Sequence, residues 1–257
     1  IPDKSGQIKY SQNDAHDFAR LMQTQQGRFY GNVEITTLTS EDSTQAKIIS
    51  SKVGELVLEN KRNTFGAKDA IVFFLSGHGY IDEDDGQFRI QGSDYDVNNK
   101  DYTTVNFDKI VSELDNLSCQ KFVLADACQK LSGDLAYSGR KGDNEEVDYS
   151  IALEKILNSS KQVRSMTSCS KGESSYEDDA WQNGAFTYAL EALLSDRSAC
   201  IALDKDGDNG LSLSEIFPSI QTEVSKNVKS KKNGKMQHPS MNMLQQSADK
   251  DVNFFFY

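Results

Sequence analysis

The chain has 257 residues, with 28 Lys or Arg against 39 Asp or Glu and a net charge of −11. That suits one globular domain with a sizeable core, or two small ones, and excludes collagen-like, low-complexity and disordered classes. The longest apolar run, Ala70 to Leu75, has six residues, far short of the roughly 20 a membrane helix needs. The acidic balance also opposes phosphate attraction, so neither a membrane nor a nucleic acid is expected as partner.

In chain order, strands alternate with helices. Residues 13–26 place Ala15, Phe18, Ala19 and Met22 on one helical face. Residues 33–38 (VEITTL) read as a strand. Ile48, Ile49, Val53, Leu56 and Val57 repeat at helical spacing, with Ser43 or Thr44 as the expected cap. Ala70–Ser76 (AIVFFLS) is a continuous apolar run, which predicts a strand buried on both faces. A helix over 107–114 leads to a second buried strand, 121–126 (KFVLAD). Residues 163–168 and 252–257 are further strands, with a helix over 186–194 between them. Residues 129–149 read as a long exposed loop, and 226–242 as a basic helix end and loop. The alternation predicts an α/β fold with a mainly parallel central sheet and helices on both faces.

In such sheets, ligands bind beyond the carboxyl ends of the strands. The run AIVFFLS continues into Gly77-His78-Gly79, and KFVLAD into Ala127-Cys128. A thiol and an imidazole at one sheet edge make a nucleophile–base pair if their strands are neighbours. His16 lies within a helix and His238 precedes Pro239 in a polar loop, so both are poorer bases. The four cysteines, Cys119, Cys128, Cys169 and Cys200, are widely spaced with no CxxC pair. A disulfide framework or cysteine zinc site is therefore not expected, and a reducing cytoplasm is.

These residues carry a resemblance. The blocks YSQNDAHDFARLM, VEITTLTSEDSTQAKI, DAIVFFLSGHGYID, KFVLADAC, SCSKGESSYED and NGAFTYALEALL cover nearly the whole chain. In that order they are similar to the caspase/metacaspase superfamily of cysteine endopeptidases, especially the bacterial caspase-like proteins called orthocaspases. His78 precedes Cys128 by 50 residues, the separation associated with caspases. The resemblance implies a caspase-like three-layer sandwich in a single peptidase domain over 1–257. Residues 1–128 would be its large-subunit-like part, 129–150 a linker and 151–257 its small-subunit-like part. It makes Cys128 the nucleophile, His78 the base and acid, and the N–H groups of Gly79 and Cys128 the oxyanion hole. Where true caspases carry Gln two residues before the nucleophile, this chain has Asp126. As in metacaspases, Asp14, Ser76 and Asp126 would then line an acidic pocket for Arg or Lys on the amino side of the cut (P1). The alternative for Asp14 is a cap on the first helix.

Two departures stand out. The nucleophile motif continues as Cys-Gln-Lys-Leu-Ser-Gly rather than CHSG, so the following loop is expected to take a different path. The first sheet strand that normally precedes the NDA block is absent, and it is expected upstream, where a sensor domain or activating partner would also lie. Within the linker, Arg140 and Lys141 match the inferred specificity and are the expected points of self-cleavage.

A second motif runs from Asp204 to Glu215. Asp204, Asp206, Asp208 and Glu215 fall at positions 1, 3, 5 and 12 of an EF-hand-type loop, with Asn209 at the position usually held by glycine. It is a candidate calcium or magnesium site, or else an Asp-rich turn; no entering helix is expected over 196–202. The acidic run 82–85 reads as a solvated loop sooner than a metal site. No cofactor is required for the expected chemistry. The competing functions are a non-catalytic regulatory module of the same fold and a calcium-responsive binding protein.

Overall fold

The computed structural model describes residues 8–61, 65–82, 85, 87–127, 160, 162–170, 173–242 and 252–257. In chain order these form α1 (Ser11–Gln23), α2 (Ala46–Lys61), β1 (Ala70–Ser76), β2 (Gly79–Ile81) and β3 (Phe88–Gln91). Then come α3 (Lys100–Thr103), β4 (Thr104–Asn106), α4 (Phe107–Asp115), β5 (Gln120–Asp126) and β6 (Val163–Thr167). The remainder holds β7 (Glu177–Asp178), β8 (Asn183–Gly184), α5 (Ala185–Leu194), α6 (Arg197–Leu203), β9 (Gly210–Ser212), α7 (Leu213–Lys231), β10 (Ser240–Asn242) and β11 (Asn253–Phe256).

The central sheet has the order β1-β5-β6-β10. β1, β5 and β6 run parallel, and β10 closes the far side antiparallel to β6. Side chains of a strand alternate between faces, and the packing follows that alternation. Val72, Phe74, Phe122 and Leu124 join α1, α5 and α7 on one side, where Phe18 stacks on Phe74 with centroids 4.4 Å apart. Ile71, Phe73, Val123 and Ala125 join α2 and α4 on the other. The result is the helix–sheet–helix sandwich that the sequence predicts, with an apolar core on each face.

Several local expectations are corrected. Residues 33–38 form no strand; they are irregular, and Ile35 is 37 % exposed. A strand needs a hydrogen-bonded neighbour as well as an alternating pattern, and none among the described residues flanks this segment. β1 lies at the end of the described sheet, so most of its apolar residues are only half-buried, against the expectation of burial on both faces. Neither Ser43 nor Thr44 caps α2. The Ala46 N–H donates instead to Asp94 Oδ1 at 3.0 Å, a cap brought from 48 residues away. β11 pairs with β9 outside the central sheet. The small β2-β3-β4 sheet and β10 carry too few residues for a periodic signal.

Candidate active site

The parallel register sets the site. Ser76 pairs with Asp126 and Ala70 with Gln120, so β1 and β5 end level with one another. The Gly77 N–H donates to the Asp126 carbonyl at 3.3 Å, which carries that alignment one residue further. His78 therefore leaves β1 at the edge where β5 leads toward position 128. It is 5 % exposed, and its carbonyl accepts from the Gln91 N–H at 3.0 Å, fixing it to the small sheet. Gly79 answers a packing need: a Cβ there would overlap the ring of buried Phe88. Cys128, Arg140 and Lys141 lie outside the described residues, as does the whole 129–149 loop.

At the same edge the three residues expected to form an acidic pocket are brought together. The Ser76 hydroxyl donates to Asp14 Oδ2 at 2.7 Å, and the Gly184 N–H donates to Asp14 Oδ1 at 2.8 Å. Asp126 accepts from the Ser175 hydroxyl at 2.5 Å and the Thr187 hydroxyl at 3.4 Å. Both carboxylates are buried, Asp14 at 2 % and Asp126 at 6 % exposure. A Cβ on Gly184 would overlap Asp126 Oδ2 and stand 3.4 Å from Asp14 Oδ2, so the two acids converge on this one glycine. Burial, and then repulsion from Asp126, pushes the Asp14 carboxyl up to about 7, against hydrogen bonds from Ser76, Gly184 and Asn183. Asp126 is likewise raised by burial, opposed by Ser175, Ser168 and Thr187, and further raised by Glu177.

Asp14 is not the cap of α1: its side chain is spent on Ser76 and Gly184. The entrance to that helix is held by Glu177, whose carboxylate accepts from the N–H groups of Lys9 at 2.7 Å and Tyr10 at 3.0 Å. The β7-β8 hairpin thus fixes α1 and carries Gly184 at once. Ser175, Glu177, Gly184 and Thr187 were not singled out from the sequence, although they fall in the SSYED and NGAFT blocks. Gln237 braces the same wall, donating to the Ser168 carbonyl at 2.8 Å and accepting from the Tyr176 N–H at 2.9 Å. Glu173 grips the His238 N–H and ring nitrogen at 2.5 Å each, so His238 is engaged in holding this wall.

Residues 2–250 match the profile of the family described as "Caspase domain". The chain belongs to the caspase-domain family. No curated protein matches its sequence. Among solved structures, a protein from Geobacter sulfurreducens is similar at a TM-score of 0.52 and 17 % identity, over 92 % of this chain and 84 % of that one. That likeness concerns the fold. The caspase-domain family groups cysteine peptidases, and the mostly parallel sheet with helices on both sides agrees with its α/β architecture. No described helix is long and apolar enough to cross a membrane.

The 204–215 segment of this caspase domain runs from the end of α6 through β9 into the first turn of α7. An entering helix is present after all: α6 spans Arg197–Leu203, capped by Asp196 through the N–H groups of Ser198 and Ala199. That cap and the buried Cys200 stabilise a helix too short to show a period. Asn209 adopts φ 65°, the left-handed turn that asparagine tolerates. Asp204, Asp206 and Asp208 can each offer an oxygen within 4.8 Å of the others. Glu215 is engaged in the capping box of α7, accepting from the Ser212 N–H at 2.9 Å while its backbone N–H bonds to the Ser212 hydroxyl. The acidic run at 82–85 proves less solvated than expected at its first residue. Asp82 is 2 % exposed and pairs with Arg89 at 3.0 Å and Lys100 at 3.4 Å.

A cavity of about 320 Å³ lies elsewhere, at the C-terminal ends of α1 and α5, lined by Arg20, Arg28, Arg197, Leu194, Phe255 and Tyr257 among others. Asp14 sits in the first turn of α1 and Arg20 in its last, so this cavity is separate from the acidic pair.

Proposed function

We propose that the protein is a cysteine endopeptidase that cuts after Arg or Lys, with His78 and Cys128 as the catalytic pair. The observation that carries the reading is the meeting of Asp14, Ser76 and Asp126 at the strand end from which His78 follows two residues after Ser76. Two carboxylates in a narrow buried pocket favour a cationic P1 side chain and leave an acidic one unpaired, which is costly. In the reaction, His78 takes the Cys128 thiol proton and the thiolate attacks the scissile carbonyl. The N–H groups of Gly79 and Cys128 face the oxyanion. The imidazolium then protonates the leaving amine, and water, deprotonated by His78, releases the acyl group and restores the thiol.

Around this chemistry we place a cytoplasmic enzyme whose 129–149 loop is cut after Arg140 or Lys141, under control of a sensor domain or activating partner. The residues at 204–215 fit calcium by donor type, three aspartates backed by a left-handed Asn209. Calcium there would brace α6 against α7 and take no part in the chemistry. A peptide panel with Arg, Lys, Asp or Ala at P1, with and without calcium, tests the reading against a non-catalytic module: the expected result is turnover of Arg and Lys peptides only, and no turnover of any peptide sinks it.

A further inference from the structure

We propose that Gly184 is a specificity-determining residue of the acidic pocket: it lets the Asp14 and Asp126 carboxylates approach until they hold one proton between them, and a basic P1 side chain enters by displacing that proton. This rests on the P1 reading above and deepens it. Gly184 has φ −64° and ψ 148°, backbone that any residue adopts, so its conformation does not demand glycine. Space demands it. A Cβ would overlap Asp126 Oδ2, lie 3.2 Å from Asp126 Cγ and stand 3.4 Å from Asp14 Oδ2. Any larger residue would drive the two acids apart, and its N–H would be carried away from Asp14 with them.

Among the described residues, the groups facing the pair are hydroxyls, amides and a further acid, with His78 the one titratable base at the same edge. β1 supplies Ser76, with His78 two residues on at the same edge. β8 supplies Asn183 and Gly184, α5 supplies Thr187, and the stretch before β7 supplies Ser175. Ser168 follows β6, and Glu177 of β7 is a further acid repelling Asp126. Among the described residues no Lys or Arg contacts either carboxylate. Two buried acids this close, without a cation, cannot both ionise cheaply, and they titrate as one unit. The raised Asp14 carboxyl agrees with that geometry. A guanidinium or ammonium reverses the balance: with a cation between them both acids ionise, and the proton passes to solvent. Binding of a basic P1 residue therefore strengthens as pH rises through the titration of the pair, whereas a neutral side chain of the same shape gains nothing.

The test uses the Cys128→Ala protein, so that nothing is cleaved, and two probes: Nα-acetyl-arginine amide and its uncharged isostere Nα-acetyl-citrulline amide. Titration calorimetry from pH 5.5 to 8, in buffers of different ionisation enthalpy, reads affinity and protons released. The expected result is an arginine-probe affinity rising about tenfold per pH unit at the acid end and levelling above neutrality, with about one proton released per probe. Gly184→Ala, and independently Asp14→Asn, should abolish that release while the thermal transition persists. If Gly184→Ala fails to fold, Asp14→Asn carries the comparison. Arginine binding that is flat with pH and releases no proton overturns the proposal while leaving the basic-P1 reading in place. Equal binding of arginine and citrulline probes at every pH overturns that reading itself.

Discussion

At the scale of residues, the acidic pair makes the site measurable without knowing a substrate. Asp126→Ala and Asp14→Ala should each lower kcat/KM on a P1 Arg peptide by at least about tenfold, since in the proposed pocket each removes a buried charge that would face the substrate cation; removing a partner of such a pair typically costs about 2 kcal/mol or more. The effect should fall chiefly on KM, and equal activity of either variant with wild type would remove that acid from the pocket. The same residues bear on stability. Asp14, raised to about 7 by burial and by Asp126, favours the fold while protonated. That contribution is complete below the ordinary carboxylate range and is lost as pH rises through about 7. Denaturant midpoints at pH 5 and pH 8 should therefore fall further in wild type than in Asp14→Asn, and equal falls would show that Asp14 does not hold the proton. Asp14 and Asp126 were legible because they sit in motifs beside a helix start and a strand end. Their partners were not: Gly184 meets Asp14 from 170 residues away, and a small residue chosen for the space it leaves has no periodic signature.

At the scale of elements, sequence periodicity succeeded where a segment could bury its own stripe and failed where a partner decided. α4 and α5 place their apolar residues in the cores as their spacing predicts, and α1 does so with Phe18 and Met22, joined by Leu21, while Ala15 and Ala19 are only half-buried. VEITTL has the right alternation for a strand, yet it lacks a neighbour among the described residues and stays irregular. The start of α2 depends on Asp94, which no local motif around Ser43 could reveal. Asp94→Ala should lower stability by about 1 kcal/mol through loss of that cap without altering P1 preference; urea unfolding and the peptide panel check both parts, and an unchanged urea midpoint would leave the cap without energetic weight. For the 204–215 loop, calcium should raise the melting temperature by binding the native state alone. The rise should vanish with chelator and in Asp204→Ala. Identical melts in all conditions would reduce the loop to a turn whose carboxylates serve backbone N–H groups and Tyr257.

At the scale of the whole molecule, the sandwich explains why the site lies where it does. Three parallel strands between two helical layers leave their carboxyl ends as the natural place for reactive groups, and β1 and β5 end level there. That much followed from two apolar runs ending in SGHG and DAC. The wall opposite, assembled from β7, β8, α5 and the Gln237–His238 stretch before β10, comes from the far half of the chain and is held by side-chain hydrogen bonds that no sequence pattern announces. The central claim is a thiol peptidase with an acidic specificity pocket, and the most direct measurement is hydrolysis of two matched peptides, one with Arg and one with Asp at P1, by wild type and by Cys128→Ala. The Arg peptide should be cut by wild type alone and the Asp peptide by neither; preference for Asp, or turnover retained by Cys128→Ala, would contradict the account.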